Sequence, residues 1–285
     1  MKLHPAQRFV APSAIERGKP LKELLDHKLV ALIGESLDAV VPEFDLRRFQ
    51  QQGSAGLEGL ELKERALHIA RAMASQLPED FDAAAPLLID ALGPPLESTE
   101  GNGLAVFFYM PHASYLAEHG ASIFESGMKA NFELTKRFTA EFSIRPLLVQ
   151  HRAKSLRLLA KWASDPNPHV RRLVSEGTRP RLPWAMRLPE FQADPNLALP
   201  LLEKLKDDGQ RYVCRSVANH LGDIAKDHAE AAFDVCERWL AELKDVEREV
   251  ADNRRWLIRH ALRHPDKKGI KRAKQLRALA KHRRR

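Results

Sequence analysis

Along almost its whole length this chain spaces its apolar residues three and four apart, and no segment alternates apolar with polar side chains convincingly. A three-and-four spacing stacks side chains on one face of a helix, whereas a strand needs a period of two. The pattern therefore predicts an all-α chain. One helix is expected over 20–33, with Pro20 in its first turn and Gly34 as its stop. Others are expected over 63–77, ending before Pro78, and over 83–92, closing at Gly93-Pro94-Pro95. Residues 96–113 are the least helical and read as a loop leading to a short buried segment. Within it, Gly101-Asn102-Gly103 is too short for a phosphate loop and reads as a turn.

From about residue 130 the chain repeats itself. Lys136–Glu141 is echoed by Arg171–Glu176 35 residues on, by Cys214–Asn219 43 further and by Ile258–Arg263 44 further. The shared element is an arginine one turn into a helix, surrounded by apolar residues. Turn residues precede three of the copies, at Asp165-Pro166-Asn167-Pro168, Lys206-Asp207-Asp208-Gly209 and Ala251-Asp252-Asn253. A period near 40 built from helix pairs predicts HEAT-like units stacked into a solenoid, each burying one face on its neighbours. Arg137, Arg172, Arg215 and Arg259 would then recur along one concave surface, where guanidinium groups suit the phosphates of a duplex. The alternative for each is a structural arginine bonded to carbonyls or acids of the adjacent repeat. The expected organisation is one repeat domain over 1–264, divided near 130/131, followed by a basic helix or tail over 265–285.

Charge is distributed unevenly. The net charge is only +8, but residues 254–285 carry +13 and residues 134–187 carry +9, leaving −14 on the rest. Two basic blocks on an acidic background are the footprint of a polyanion-binding surface. No run approaches the roughly 18 apolar residues of a membrane helix, and the N-terminus lacks an apolar run of signal-peptide length, so a cytoplasmic protein is expected. Cys214 and Cys236 fit neither a disulfide framework nor a metal motif and are expected as small buried residues. The twelve histidines are scattered; His119, His151, His169 and His220 are expected to be structural or solvent-facing. Zinc-protease, Walker and nucleophile-elbow motifs are missing.

The helix expected over 168–176 is well delimited, with Asn167 as cap, Pro168 in the first turn and Gly177 past its end. Glu176 consequently sits in the last turn, facing the negative end of the helix dipole, where a carboxylate is disfavoured. Glu141 holds the matching place one repeat earlier, and Asp223 lies one turn beyond the matching place one repeat later. Three acids inside the basic half can hold arginines in place or do chemistry on an electron-poor centre.

The segments KRFTAEFSIRPLL (136–148), WASDPNPHVRRLVSEGTRPRLPWAMRL (162–188), YVCRSVANHLGDIAKD (212–227) and NRRWLIRHALRH (253–264) resemble the bacterial alkylpurine DNA glycosylases of the AlkC and AlkD HEAT-like repeat superfamily, most closely the AlkC type. The opening PLKELLDHKLVALIGESLDAVVPEFDLRRF is similar as well, so the resemblance spans nearly the whole chain. It implies excision of cationic methylated bases, 3-methyladenine above all, from duplex DNA; a solenoid that wraps a duplex has no need to dimerise, so a monomer is expected. It implies no metal or redox cofactor and no full flipping of the base. The positions matching the family's acids are Glu141, Glu176 and Asp223. Trp184 matches a family aromatic that would pack on the sugar or the exposed nucleotide, its alternative being a core Trp. Arg179 and Arg181 join Arg137, Arg172, Arg215 and Arg259 as implied DNA contacts. Some members end in an immunoglobulin-like domain, and no strand pattern follows residue 264 here. The competing readings are a non-catalytic nucleic-acid-binding scaffold and a HEAT adaptor for a protein partner.

Overall fold

The computed structural model describes residues 3–281, and among these the regular elements are all helical. Residues 282–285 lie outside the described residues, so the basic tail is seen only as far as Lys281. The chain forms two compact units, Met1–His151 and Arg152–Arg285.

The first unit holds α1 (Pro5–Arg8), α2 (His27–Asp38), α3 (Leu46–Ser54), α4 (Leu62–Ala74), α5 (Phe81–Asp90), α6 (Met110–His119), α7 (Phe124–Thr135) and α8 (Arg145–Gln150). The helix starts follow capping chemistry. The Asp26 carboxylate accepts from the Lys28 and Leu29 amides, and Asp45 accepts from that of Arg48. The stretch expected as one helix over 20–33 is two elements: a 3₁₀ turn at Leu21–Leu24, then α2 restarted by the Asp26 cap. Gly34 does not stop α2 but lies inside it. A Cβ there would meet Leu46 at 2.7 Å and Phe49 at 2.9 Å, so this glycine serves the close packing of α3 on α2. The loop before α6 is as expected: Asn102 donates to the Ser98 carbonyl at 2.8 Å, and Gly101 and Gly103 take positive φ. It leads into a 3₁₀ segment, Ala105–Tyr109, that buries Phe108.

The second unit holds α9 (Arg152–Trp162), α10 (Pro168–Gly177), α11 (Pro189–Ala193), α12 (Leu199–Leu205), α13 (Arg211–Asp227), α14 (Ala229–Ala241), α15 (Arg248–Ala261), α16 (Arg263–Lys267) and α17 (Lys271–Leu279). Helices α10, α13 and α15 pack in succession to make one row. Helix α12 packs on α9, and α14 packs on α17 and is tied to α12 through Glu203, which accepts from the Trp239 indole at 2.8 Å. Two rows of paired helices are the arrangement that a repeat of about 40 residues requires. The core is continuous through α13, whose Val213, Val217 and Leu221 are fully buried. Both cysteines are free and buried there and in α14, and burial pushes the thiols up to about 11 for Cys214 and about 12 for Cys236.

The repeat copies are not equivalent. Arg172 and Arg215 sit one turn into α10 and α13 as expected. Arg137 instead falls just past the end of α7, and Arg259 lies in the last turn of α15. Sequence similarity locates the repeat but not its phase, because helix ends are set by caps and packing partners outside the repeated hexamer.

Gly34→Ala tests the α2–α3 contact. Overpacking of this kind costs about 1–3 kcal/mol, and the midpoint of urea unfolding should fall accordingly.

Candidate DNA-lesion site

In the second unit, α10 and α13 bring two of the three expected acids together. Asn167 caps α10 by accepting from the His169 amide at 2.8 Å, and Pro168 occupies the first turn. Glu176 therefore arrives in the last turn, where the helix dipole opposes its charge. Local partners outweigh that cost. Its Oε1 accepts from Arg179 Nη1 at 2.6 Å and lies 3.7 Å from Arg172 Nη2, while Oε2 accepts from the Ser216 hydroxyl at 2.5 Å. Burial pushes the Glu176 carboxyl up, but Arg172, Arg179 and the Ser216 hydroxyl together hold it below the usual carboxylate range. It is ionised at neutral pH.

Asp223 faces it from α13. Its Oδ2 accepts from Arg179 Nε at 2.8 Å and lies 2.8 Å from Arg179 Nη2, and Oδ1 accepts from Lys226 at 2.8 Å. Arg179 thus bridges both acids with one guanidinium. Glu176 and Asp223 are 5% and 2% exposed and Arg179 is 9% exposed, so the cluster is enclosed by protein. Of the two uses open to these acids, holding an arginine in place is the one the geometry displays.

Three further residues of α13 complete the grip. Ser216, His220, Asp223 and Asp227 follow one another at steps of four, three and four, which stacks them on one helix face. Ser216 takes Glu176, Asp223 takes Arg179, and Asp227 takes Arg181 in a two-bond pair at 2.7 and 2.6 Å. His220 Nδ1 lies 2.9 Å from the Ser175 carbonyl, so that nitrogen carries the proton and donates. Its Nε2 is buried without a partner. Burial above all pushes this imidazole down to about 4. His220 is therefore structural, as expected. Ser216 carries no sequence motif of its own, although its spacing from Asp223 is readable in the chain.

The other expected site residues are placed variously. Glu141 belongs to the first unit, where it is buried and accepts from the Thr139 hydroxyl at 2.6 Å. Arg137, in the same unit, donates to the Gly93 carbonyl at 2.5 Å and to Glu133, the structural use of a repeat arginine. Arg172 lies 5.1 Å from the Tyr212 ring as well as beside Glu176. Arg215 is exposed on α13. Arg259 donates to the Ala280 carbonyl at 2.5 Å and fixes the end of α17. Trp184 is not a core residue: it is 62% exposed, and its φ of +66° places a bulky side chain in the left-handed region. Such a conformation costs on the order of 1–3 kcal/mol and persists only where the surroundings impose it. Among the described residues, no three His, Cys, Asp or Glu side chains converge as a metal-ligand set.

The buried imidazole makes stability pH-dependent. His220 is held neutral in the fold down to about 4, while in the unfolded chain it titrates near 6.5. Unfolding therefore takes up a proton as pH falls through 6.5, and stability present at pH 7 is lost progressively until about pH 4. At pH 5 the loss from this residue is about 2 kcal/mol. His220→Leu should unfold with that much less difference between pH 7 and pH 5 than the parent in urea titrations.

No protein-family model matches the chain. It is 34% identical over 256 residues to YhaZ, an uncharacterised protein of Bacillus subtilis strain 168, a match covering 89% of this chain and 66% of that protein. The structure of Pseudomonas fluorescens alkylpurine DNA glycosylase AlkC bound to DNA containing an abasic site analog superposes with a TM-score of 0.77 and 35% identity, over 91% of this chain and 68% of that one. The chain thus spans about two thirds of the length of each. With the all-helical repeat fold shared at this identity and coverage, the chain belongs to the AlkC family.

Proposed function

We propose that the protein is a DNA glycosylase of base-excision repair that hydrolyses the N-glycosidic bond of cationic alkylated bases, 3-methyladenine above all, in duplex DNA. The observation that carries this reading is the pair of buried acids, Glu176 and Asp223, bridged by Arg179, in a chain similar over 91% of its length to a DNA-bound alkylpurine glycosylase.

Alkylation leaves a positive charge on the base, which makes the base a good leaving group. As the C1′–N bond breaks, its electron pair moves onto the base and cancels that charge, so no protein acid is needed to protonate it. Positive charge then develops on the deoxyribose. Carboxylates beside the sugar stabilise that oxocarbenium-like state and orient the water whose oxygen bonds to C1′ and whose proton passes to a carboxylate and on to solvent. Glu176 and Asp223 take these roles. Arg172, Arg215 and the exposed Trp184 contact the duplex. Arg179 and Arg181 contribute through the acids they hold. The protein acts as a monomer in the cytoplasm, and among the described residues no helix is long and apolar enough to cross a membrane.

The saturated state of both acids also fits a scaffold that binds DNA without cutting it. Incubation with DNA treated with a methylating agent separates the two readings. Free 3-methyladenine should be released by the parent and reduced at least tenfold by Glu176→Gln or Asp223→Asn, with affinity for DNA similar or raised. Wild-type release from both variants, or none from the parent, removes the assignment.

A further inference from the structure

The two acids of the cluster are bonded differently, and the difference lies in one serine. Asp223 turns both oxygens to cations: Oδ2 accepts from Arg179 Nε at 2.8 Å and Oδ1 from Lys226 at 2.8 Å. Glu176 meets its guanidinium neighbours through one oxygen. Oε1 accepts from Arg179 Nη1 at 2.6 Å, and the nearest approach of Arg172 is also to Oε1, at 3.7 Å. Oε2 accepts from a neutral donor, the Ser216 hydroxyl, at 2.5 Å. A carboxylate oxygen has two acceptor sites, and the single proton of a hydroxyl fills one of them. An oxygen bonded to a neutral donor keeps more of the carboxylate's charge than one bonded to a cation, and is the better acceptor for a proton of water.

Ser216 departs from its surroundings in three ways. It is buried on α13, in a stretch whose Val213 and Val217 are fully buried, and a hydroxyl in such a place costs free energy unless it is bonded. A serine inside a helix ordinarily turns to the carbonyl four residues back, whereas this one reaches across to α10, 40 residues away. The repeat shows the third departure. The third place of the repeated hexamer holds Phe138, Leu173 and His260 in the other copies, and a small hydroxyl at Ser216. An apolar side chain there would leave Glu176 Oε2 buried without this donor. Burial pushes the Glu176 carboxyl up, and the Ser216 hydrogen bond is one of the contacts that bring it down.

We propose that Ser216 is a positioning residue for the hydrolysis: it fixes Glu176 through Oε2 and makes that oxygen, rather than either oxygen of Asp223, the acceptor that orients the water. The proposal rests on the glycosylase reading and divides the work of the two acids. The glycosidic electron pair leaves with the base, the water oxygen bonds to C1′, and the water proton passes to Glu176 Oε2 and on to solvent. Asp223, with a cation on each oxygen, contributes its field alone.

The test compares the full chain with its Ser216→Ala and Ser216→Thr variants in two measurements. The first is single-turnover release of base from methylated duplex DNA as a function of pH, with DNA affinity measured alongside. The second is the titration of the Glu176 carboxyl itself, read by NMR on glutamate-labelled protein and assigned with Glu176→Gln. The other charged and titratable groups at this carboxylate, Arg172 on α10, Arg179 in the loop after it and His220, Asp223 and Lys226 on α13, are unchanged in both variants. Ser216→Ala should slow release about tenfold or more, the loss expected for a hydrogen bond to a charged group, with DNA affinity unchanged. Loss of the donor raises the Glu176 pKa, so the acid limb of the pH profile and the NMR titration should both move to higher pH. Ser216→Thr keeps the hydroxyl and should restore rate and titration. Circular dichroism melts establish that each variant is folded. Release by Ser216→Ala at the parent rate, or slower release with the acid limb and titration unmoved, overturns the proposal and leaves the glycosylase reading standing. A parent that releases no base refutes the glycosylase reading. Ser216 then stands as the donor that keeps Glu176 charged if the titration moves, and is rejected if it does not.

Discussion

One guanidinium organises the candidate site. Arg179 joins the end of α10 to the middle of α13 by bonding Glu176 and Asp223 together, and all three side chains are buried. Two carboxylates withdrawn from water repel each other and lose hydration. A shared cation and the Ser216 and Lys226 donors supply what water supplied before. Removing one partner of such a buried set costs roughly 3–5 kcal/mol, because the remaining charges are left uncompensated. The same arrangement keeps Glu176 ionised and both acids fixed in place, which is the condition for electrostatic work without reorganisation.

Helix α13 is the element on which these constraints meet. One face contributes Ser216, His220, Asp223 and Asp227, each holding a different part of α10 or the loop after it. Its apolar side supplies Val213, Val217 and Leu221 to the core, and a third stripe carries Arg211, Arg215 and Asn219 along α15. A single 17-residue helix thus links core, acid cluster and this basic stripe.

The charge pattern also divides more finely in three dimensions than along the chain. Arg272, in the C-terminal basic block, bonds Glu230, Asp234 and Glu237 of α14, and Arg277 pairs with Asp266. These cations fasten α17 to its neighbours. Arg137, Arg254 and Arg259 are likewise engaged with protein. The arginines left for a polyanion are fewer than the block totals suggest.

Helical periodicity, the 40-residue repeat, the Asn167 cap and the last-turn position of Glu176 were all legible from the chain alone, because each depends on residues a few positions apart or on the recurrence of such a short pattern. The pairing of Glu176 with Asp223 was legible only as parallel positions in two repeats. That Gly34 packs rather than terminates a helix, that Arg179 serves the acids directly, that Trp184 is exposed, and that Arg137 belongs to the framework were decided by tertiary structure. The deciding partners lie 12 to 44 residues away in sequence, Leu46 for Gly34, Gly93 for Arg137 and Asp223 for Arg179, while the same arginines also bond Glu133 and Glu176 within one turn. Local spacing determines which face a side chain occupies; only the packing of one helix on another determines what that face meets.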